Sequence, residues 1–272
     1  MPSALINDTE LFYREVGAGR PCLVMHGGLG GDHGCLYPWL DPLGDMLRLI
    51  YYDHRGNGRS GRPPLATLSY QQLAADADAL RDFLGFDRVM VMGFSAGAAI
   101  ALHYALTYPQ RLSHLIIVGG HAAWDCGDEI MAACQRRGAA PEMLDAITRS
   151  PYDDADLARI VGKFMPLYLH RYDANLVERY VKNVRREAAA NVRYGELLRD
   201  YNLVSRLGEI HVPTLIIIGR DDVVTPPTQA ERLDRGIPHS ELVIVDHSGH
   251  MPYLEEPERF CQVVLDWLAR TL

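Results

Sequence analysis

The sequence lacks the features that mark several large classes of protein. Its 272 residues carry a formal net charge of −8 and no lysine- or arginine-rich tract, so nucleic acid is not an expected partner. No apolar run approaches the roughly 18 residues that span a bilayer. The opening residues, MPSALINDTELFY, have neither the basic start nor the apolar core of a signal peptide. We therefore expect no membrane contact and a cytoplasmic location.

Cysteine is also sparse, and its pattern excludes a disulfide framework. The chain has five cysteines, an odd and widely scattered set: Cys22, Cys35, Cys126, Cys134 and Cys261. A chain of this length buries roughly three-quarters of its unfolded surface and needs no covalent staples. We predict reduced, mostly buried thiols. Neither a Walker A sequence nor a histidine–carboxylate cluster with metal-ligand spacing occurs, so we predict no cofactor and no metal.

What the sequence does contain is an alternation of strand and helix patterns. Apolar runs typical of strands lie at residues 9–16, 21–26, 47–53, 88–94, 112–119, 214–219 and 241–245. Helical patterns separate most of them, and Ser69 with Gln72 three residues later predicts a helix start. Residues 125–203 contain helical stretches and no strand pattern. This rhythm predicts an α/β fold with a mostly parallel sheet, interrupted by a helical insertion.

A candidate nucleophile lies between a predicted strand and a predicted helix. Gly93-Phe94-Ser95-Ala96-Gly97 matches G-x-S-x-G, in which a strained turn presents the serine hydroxyl at the carboxyl edge of the sheet. The helix that follows favours negative charge at its amino end. A tight glycine turn without chemistry is the alternative interpretation. The flanking strand and helix favour a nucleophile.

A serine hydroxyl needs a base, and the base needs an acid to orient it. After the last predicted strand, Asp246-His247-Ser248-Gly249-His250 offers two histidines. We favour His250, because Gly249 gives the backbone freedom there. After the strand at 214–219, Asp221 and Asp222 compete as the acid, and both fit the order nucleophile, acid, histidine.

These motifs together resemble the α/β-hydrolase superfamily over nearly the whole chain. The resemblance rests on HGGLG at 26–30, YDHRGNGRS at 52–60, GFSAG at 93–97, GRDDVVTP at 219–226 and HSGHMPYLEEPERF at 247–260. It implies an α/β-hydrolase fold: a mostly parallel central sheet flanked by helices, with a helical cap inserted after the sixth strand. The implied core is 1–124 and 205–272, and the implied cap is 125–204. It also favours Asp222 over Asp221, and His250 over His247.

The resemblance also assigns the groups that would stabilise a developing oxyanion and line a substrate pocket. The backbone amide of Ala96 is one expected donor, and that of Gly28, with Leu29 as an alternative, is the other. Leu29, Phe94, Phe164 and Tyr168 are candidate substrate-binding residues. Residues 56–61 match G-x-G-x-x-G, but Pro63 and Pro64 follow at once, so this segment is a structural turn rather than a dinucleotide site.

The substrate is the least determined feature of the sequence. Our leading interpretation is a serine hydrolase of small-molecule esters or lactones. A proline iminopeptidase fits HGGLG and YDHRG, but Phe94 and Ala96 depart from the G-G-S-W-G of those enzymes, and a cap carboxylate would have to hold the substrate ammonium. Candidates for that carboxylate are Glu178, Glu187 and Glu196. A carbon–carbon bond hydrolase of dienone acids needs a cationic anchor that no pattern identifies. A non-enzymatic receptor would not need the serine, aspartate and histidine together.

Overall fold

A mixed β-sheet forms the centre of the molecule. The computed structural model describes residues 2–28 and 30–272, with residues 146–148 described for the backbone only. In that part of the chain the strands are β1 Ser3–Ile6, β2 Thr9–Val16, β3 Arg20–Met25, β4 Leu47–Tyr52, β5 Val89–Phe94, β6 Leu112–Val118, β7 Thr214–Gly219 and β8 Ser240–Val245. Their order is β1-β2-β4-β3-β5-β6-β7-β8. The pairings of β1 with β2 and of β2 with β4 are antiparallel, and the others are parallel.

Helices cover both faces of this sheet, which explains why its central strands are apolar along their whole length. Every residue of β5 and of β7 is buried. The helices are α1 Tyr70–Phe83, α2 Ala96–Thr107, α3 Gly127–Arg136, α4 Pro141–Thr148, α5 Asp154–Tyr168, α6 Ala174–Asn183, α7 Ala188–Leu198, α8 Pro227–Gly236, α9 Pro252–Glu255 and α10 Pro257–Thr271. Separate apolar clusters form on the two faces, one with α1, α2 and α8 and the other with α10.

The predicted fold class is confirmed: the sheet is mostly parallel and has helices on both sides. The predicted strands agree with the observed ones to within one residue at each end, and Ser69 caps α1 by accepting a hydrogen bond from the Gln72 amide at 3.1 Å. The sequence analysis missed β1, a four-residue edge strand.

The helical block lies between β6 and β7, as predicted. Helices α3 to α7 fill this connection, and its two ends run side by side. Ala123 and Asn202 form an antiparallel bridge, and the Leu203 amide donates to the Ala122 carbonyl at 2.7 Å. The chain therefore leaves the sheet and returns to it at one place. Within residues 2–28 and 30–272, none of the helices has both the length and the apolar character that crossing a bilayer requires.

Candidate active site

Ser95 occupies a strained turn between β5 and α2. Its φ of 52° and ψ of −116° lie in a region that non-glycine residues rarely adopt, at a cost of about 1–3 kcal/mol. Tight packing maintains this conformation, and the Ser95 amide donates to the Val118 carbonyl at 2.9 Å. Ser95 precedes the first helical residue, but its side chain does not cap α2. The Ser95 hydroxyl therefore does not make the helix-capping hydrogen bond that a serine usually makes at this position.

A close approach of two chain segments explains the second glycine of the motif. A Cβ at position 97 would lie 2.2 Å from the carbonyl oxygen of Met25, the last residue of β3. Only glycine lets α2 start this close to the end of β3. As the first residue of α2, Ala96 has an amide that the helix itself leaves unbonded. The turn therefore places Ser95 and a spare amide at the carboxyl edge of the sheet.

His250 and Asp222 form a buried pair at the same edge. The His250 Nδ1 atom lies 2.7 Å from Asp222 Oδ2, and both side chains are at most 1% exposed. The other carboxylate oxygen accepts the amides of Val224 and Thr225 at 2.8 and 2.9 Å. The Thr225 hydroxyl donates to Oδ2 at 2.9 Å. This arrangement holds the carboxylate in one orientation and leaves Nε2 of the imidazole as the atom available for a proton.

The two competing residues lie elsewhere. Asp221 is about 40% exposed and its carboxylate contacts His170 Nδ1 instead of His250. His247 is exposed, with its ring centroid 5.6 Å from that of His170. The structure therefore pairs Asp222 with His250, the alternatives that the resemblance favours.

Backbone contacts with the helical block hold His250 in place. Its amide donates to the Tyr168 carbonyl at 2.6 Å, and a Cβ at position 249 would lie only 2.2 Å from that same oxygen. Close approach, rather than backbone freedom, is therefore the reason for Gly249. Glu255 accepts the Gly249 amide at 2.8 Å and the His170 amide at 2.6 Å, so one carboxylate joins both segments. Burial raises the pKa of Glu255, and these bonds act against that shift.

The glycine loop after β3 is braced by two other segments. The Gly30 amide donates to Asn57 Oδ1 at 2.6 Å, and the Gly30 carbonyl accepts the Glu187 amide at 3.0 Å. Gly28 has a positive φ of 45° and faces open space. Leu29, the alternative oxyanion donor and a predicted pocket residue, lies outside the described residues. The turn at 56–61 therefore has a structural role: through Asn57 it supports the loop that carries Gly28.

One pocket brings these groups together. Its sheet side includes Gly27, Gly28, Gly31, Phe94, Ser95 and His250, and its helical side includes Leu157, Val161, Met165, Tyr168, Tyr180 and Arg186. It encloses about 100 Å³, which is small beside the roughly 300–1,000 Å³ of pockets for drug-sized ligands. The arrangement suits a small substrate attacked from the Ser95 side.

Aromatic side chains surround the imidazole within this pocket. The rings of Phe94 and Tyr168 have centroids 4.9 and 5.2 Å from that of His250. Both residues line the pocket, and their role in substrate binding stays a prediction. Phe164 does not line it: its ring packs edge-on against Tyr168 at 4.9 Å, among apolar residues of α3 and Val223.

Comparison with known proteins agrees with this geometry. A family model for the alpha/beta hydrolase fold matches residues 21–257. The chain belongs to the α/β-hydrolase family. A 2-hydroxy-6-oxononadienedioate/2-hydroxy-6-oxononatrienedioate hydrolase from Pseudomonas putida is 32% identical, with 96% of this chain and 92% of the relative covered. The proline iminopeptidase PfmaB from Pestalotiopsis fici is 31% identical, with 92% and 93% covered.

Among solved structures, an esterase from Exiguobacterium antarcticum matches this α/β hydrolase with a TM-score of 0.80. The two chains are 24% identical, and 98% of each is covered. At that identity the likeness establishes the shared fold and does not extend to a substrate. The relatives named here carry the names of different hydrolases, so the substrate has to be inferred from the pocket of this hydrolase.

A second polar cluster lies beside the glycine loop of the hydrolase. Asp32, His33 and Asp53 are all buried, and their ligand-type atoms lie within 4.8 Å of one another. Their spacing in the sequence did not indicate this grouping. The carboxylate oxygens already accept hydrogen bonds: Asp32 Oδ2 from Arg59 at 2.9 Å, and Asp53 Oδ1 from His33 Nδ1 at 2.7 Å. With an arginine in the cluster, these donors hold the loop together rather than offering a metal site.

Arg186 is the pocket residue that sequence reasoning missed. It belongs to the short connection between α6 and α7, where an arginine ordinarily reads as a solvated surface charge. No pattern in the sequence marks a cationic anchor. No local pattern could have identified Arg186, because its place in the pocket depends on how the helical block packs over the sheet.

Proposed function

We propose that this α/β hydrolase cleaves carboxylic esters or lactones of small molecules through an acyl-enzyme formed on Ser95. The observation that carries the proposal is that one pocket is lined both by Ser95, at a strained strand-to-helix turn, and by His250, bonded to Asp222 at 2.7 Å. A hydroxyl beside an oriented imidazole is the arrangement that acyl transfer requires.

The first half of the proposed reaction forms the acyl-enzyme. Ser95 Oγ attacks the carbonyl carbon while His250 Nε2 takes the hydroxyl proton, since Nδ1 is engaged with Asp222. The amides of Ala96 and Gly28 would then stabilise the oxyanion, each contributing roughly 3 kcal/mol to the transition state. The imidazolium passes its proton to the departing alcohol oxygen, and the ester bond breaks.

The second half repeats these steps with water. His250 removes a proton from a water molecule, which attacks the acyl carbonyl, and the collapse of the intermediate returns the proton to Ser95 Oγ. The products are a carboxylic acid and an alcohol, or one hydroxy acid from a lactone. For a lactone the alcohol stays attached to the acyl chain, so the pocket has to hold it throughout.

We also propose that residues 125–204 form a cap domain over a core of 1–124 and 205–272. Support comes from the paired ends of this segment at Ala123 and Asn202, and from the residues of α5 and α6 that line the pocket. Phe94 from the core and Tyr168 from the cap would be the substrate-contacting walls. Leu29 remains a prediction as a substrate contact, whereas Phe164 would act only through Tyr168, against which it packs.

An aminopeptidase is less well supported by the pocket. The three glutamates that could hold a substrate ammonium are each paired with a cation: Glu178 with Lys182, Glu187 with Arg62 and Glu196 with Arg193. The pocket lining contains no aspartate or glutamate from the described residues. A positively charged substrate would therefore meet Arg186 and no opposite charge.

The test is Ser95→Ala assayed on p-nitrophenyl esters, acyl lactones and prolyl arylamides. We expect ester or lactone turnover to fall by about 10⁵-fold and covalent labelling by a fluorophosphonate to disappear. The exposed Ser205 supplies the matched control, since Ser205→Ala should keep wild-type turnover. Wild-type activity in Ser95→Ala would refute the nucleophile. Faster wild-type turnover of the prolyl arylamide than of every ester and lactone would refute the substrate class.

A further inference from the structure

Arg186 is half-buried, and two nitrogen atoms of its side chain have no partner. Its Nε and Nη2 atoms are inaccessible to solvent and make no hydrogen bond. Among the side chains described here, no carboxylate lies within ion-pair distance of it. Arg186 lines the same pocket as Ser95 and His250. Charged donors are rarely left unpaired in protein interiors, because lost solvation is expensive unless another group replaces water.

The two unpartnered atoms are on the edge of the guanidinium that binds carboxylates. Elsewhere in this chain, Arg55 uses Nε and Nη2 to hold the two oxygens of Asp76. Arg206 uses the same pair of atoms on Glu209, at 2.9 and 2.8 Å. In both cases two parallel N–H groups meet two oxygens in one plane, which is the strongest arrangement open to an arginine. In Arg186 these two atoms hold no carboxylate and are closed to solvent, so a ligand in the pocket meets the part of the side chain that lines it.

The backbone on each side of Arg186 is held in place. The Arg185 amide donates to Asp32 Oδ1 at 3.3 Å, and the Glu187 amide donates to the Gly30 carbonyl at 3.0 Å. The second bond ties this segment directly to the glycine loop. A Cβ at position 31 would lie 3.7 Å from Arg186 Nη1. The guanidinium is therefore built into the pocket beside the loop and is not a passing surface contact.

The rest of the pocket has nothing to neutralise this charge. The wall from α5 is apolar, formed by Leu157, Val161 and Met165, and no described aspartate or glutamate contributes to the lining. The charge of Arg186 reaches the pocket tyrosine Tyr168: burial raises the pKa of Tyr168 to about 12, and Arg186 acts against that rise. An anion entering the pocket would be the missing partner.

We propose that the substrate carries a free carboxylate in addition to the bond that is cleaved, and that Arg186 binds this carboxylate. A planar two-oxygen anion suits the guanidinium of an arginine that lines the pocket, and the small cavity sets the second group only a few bonds from the reacting carbonyl. The substrate class is thus half-esters of short dicarboxylic acids, or lactones with a carboxylate. This inference rests on the proposed function of Ser95.

The experiment compares the monomethyl and dimethyl esters of succinate, glutarate and adipate. The wild-type protein should have a kcat/KM at least about 10-fold higher for the best monoester than for its diester. In Arg186→Gln the monoester should lose about 100-fold, mainly through KM, so that the preference disappears. Arg186→Lys should recover part of it. Arg185→Gln, which changes the exposed neighbour, should keep the wild-type preference.

A binding measurement separates this inference from the proposed function. Ser95→Ala is titrated with succinate, glutarate, adipate and inorganic phosphate by calorimetry at low salt. We expect one dicarboxylate to bind, and its affinity to fall about 100-fold when Arg186→Gln is added. This result would support the carboxylate site even if no ester were turned over, in which case only the proposed function would fail.

Other outcomes would overturn the inference. In the kinetic experiment, such an outcome is a Ser95-dependent ester activity with the same monoester preference in Arg186→Gln as in the wild type. In the binding experiment, it is the absence of dicarboxylate binding, equal dicarboxylate affinity with and without Arg186, or tighter binding of phosphate than of any dicarboxylate. Folding provides an independent readout. Because Arg186→Met removes a half-buried charge without an ion-pair partner, its Tm should equal or exceed that of the wild type, and the chosen dicarboxylate should raise only the wild-type Tm.

Discussion

Two buried histidine–aspartate pairs in the described part of this chain have the same bond length and different surroundings. His250 Nδ1 lies 2.7 Å from Asp222, and His33 Nδ1 lies 2.7 Å from Asp53. All four side chains are at most 3% exposed. Each pair joins segments far apart in the sequence. By distance and burial alone, either could be the acid–base pair of a hydrolase.

What surrounds each pair distinguishes them. His250 opens on a pocket that contains Ser95, whereas His33 packs against the Phe12 ring at 5.0 Å and is not among the pocket residues. Asp53 also accepts the backbone amides of His33 and Arg59 at 2.9 and 2.7 Å. Burial by itself would raise the pKa of Asp53, but the hydrogen bonds from His33 keep it below its usual value. A histidine–aspartate bond therefore does chemistry only where the imidazole faces a nucleophile and a ligand space.

Substitution of His250 and of His33 tests which of the two pairs supplies the catalytic base. His250→Gln should lower kcat/KM on the best ester by about 10⁵-fold, because the proton acceptor is lost, and should lower the unfolding free energy by about 1–3 kcal/mol, because the buried Asp222 loses a donor. His33→Gln should retain most of the activity per folded molecule and lose about 1–3 kcal/mol of unfolding free energy, since a buried carboxylate loses a donor. Kinetics and urea unfolding on both variants check this. Near-normal turnover in His250→Gln would show that the pairs were assigned the wrong way round.

Substitution of the two adjacent aspartates, Asp222 and Asp221, tests which of them orients His250. Asp222→Asn should cost about 10⁴-fold in kcat, because the amide favours the wrong tautomer of His250. Asp221→Asn changes a half-exposed partner of His170 and should leave kcat within about 3-fold. Both are measured on one ester at saturating concentration. A larger loss in Asp221→Asn would move the acid by one position.

A third buried histidine has no carboxylate partner and provides the smallest test. Neither ring nitrogen of His121 is bonded, and the ring packs against Trp124 at 5.0 Å and Tyr201 at 5.3 Å. Burial, followed by the nearby His250, lowers the pKa of His121 to about 4 from its usual 6.5. The folded state therefore binds fewer protons than the unfolded chain between these values, so stability falls as the pH drops from 6.5 towards 4.

The expected size follows from that shift. Going from pH 7 to pH 5, His121 should remove about 2 kcal/mol of the unfolding free energy. His121→Phe keeps an aromatic ring without a titrating group, so its loss over the same interval should be smaller by that amount. Urea unfolding of both proteins at the two pH values measures the difference. An equal loss in both would mean that His121 is not held neutral by the fold.

Local patterns in the sequence were sufficient to predict most of the framework. Strand β5 is a continuous apolar run and α2 is rich in alanine, so the turn with Ser95 could be located between them. The missed strand β1 is short and lies at the edge of the sheet, with Leu5 76% exposed. Its signal was the turn: Asn7 and Asp8 both have positive φ, as primed hairpin turns require.

The alternation of strands and helices and the candidates Ser95 and His250 could be derived from the sequence, because they depend on short motifs and on periodic burial, and the preference for Asp222 over Asp221 came from the family resemblance. Why Gly249 is needed and where Arg186 lies depended on the tertiary structure. The contact from Arg185 to Asp32 joins residues 153 positions apart, and no local pattern encodes such a distance. Short motifs carry the candidate catalytic residues, whereas Arg186 joins the pocket only because the helical block packs over the sheet.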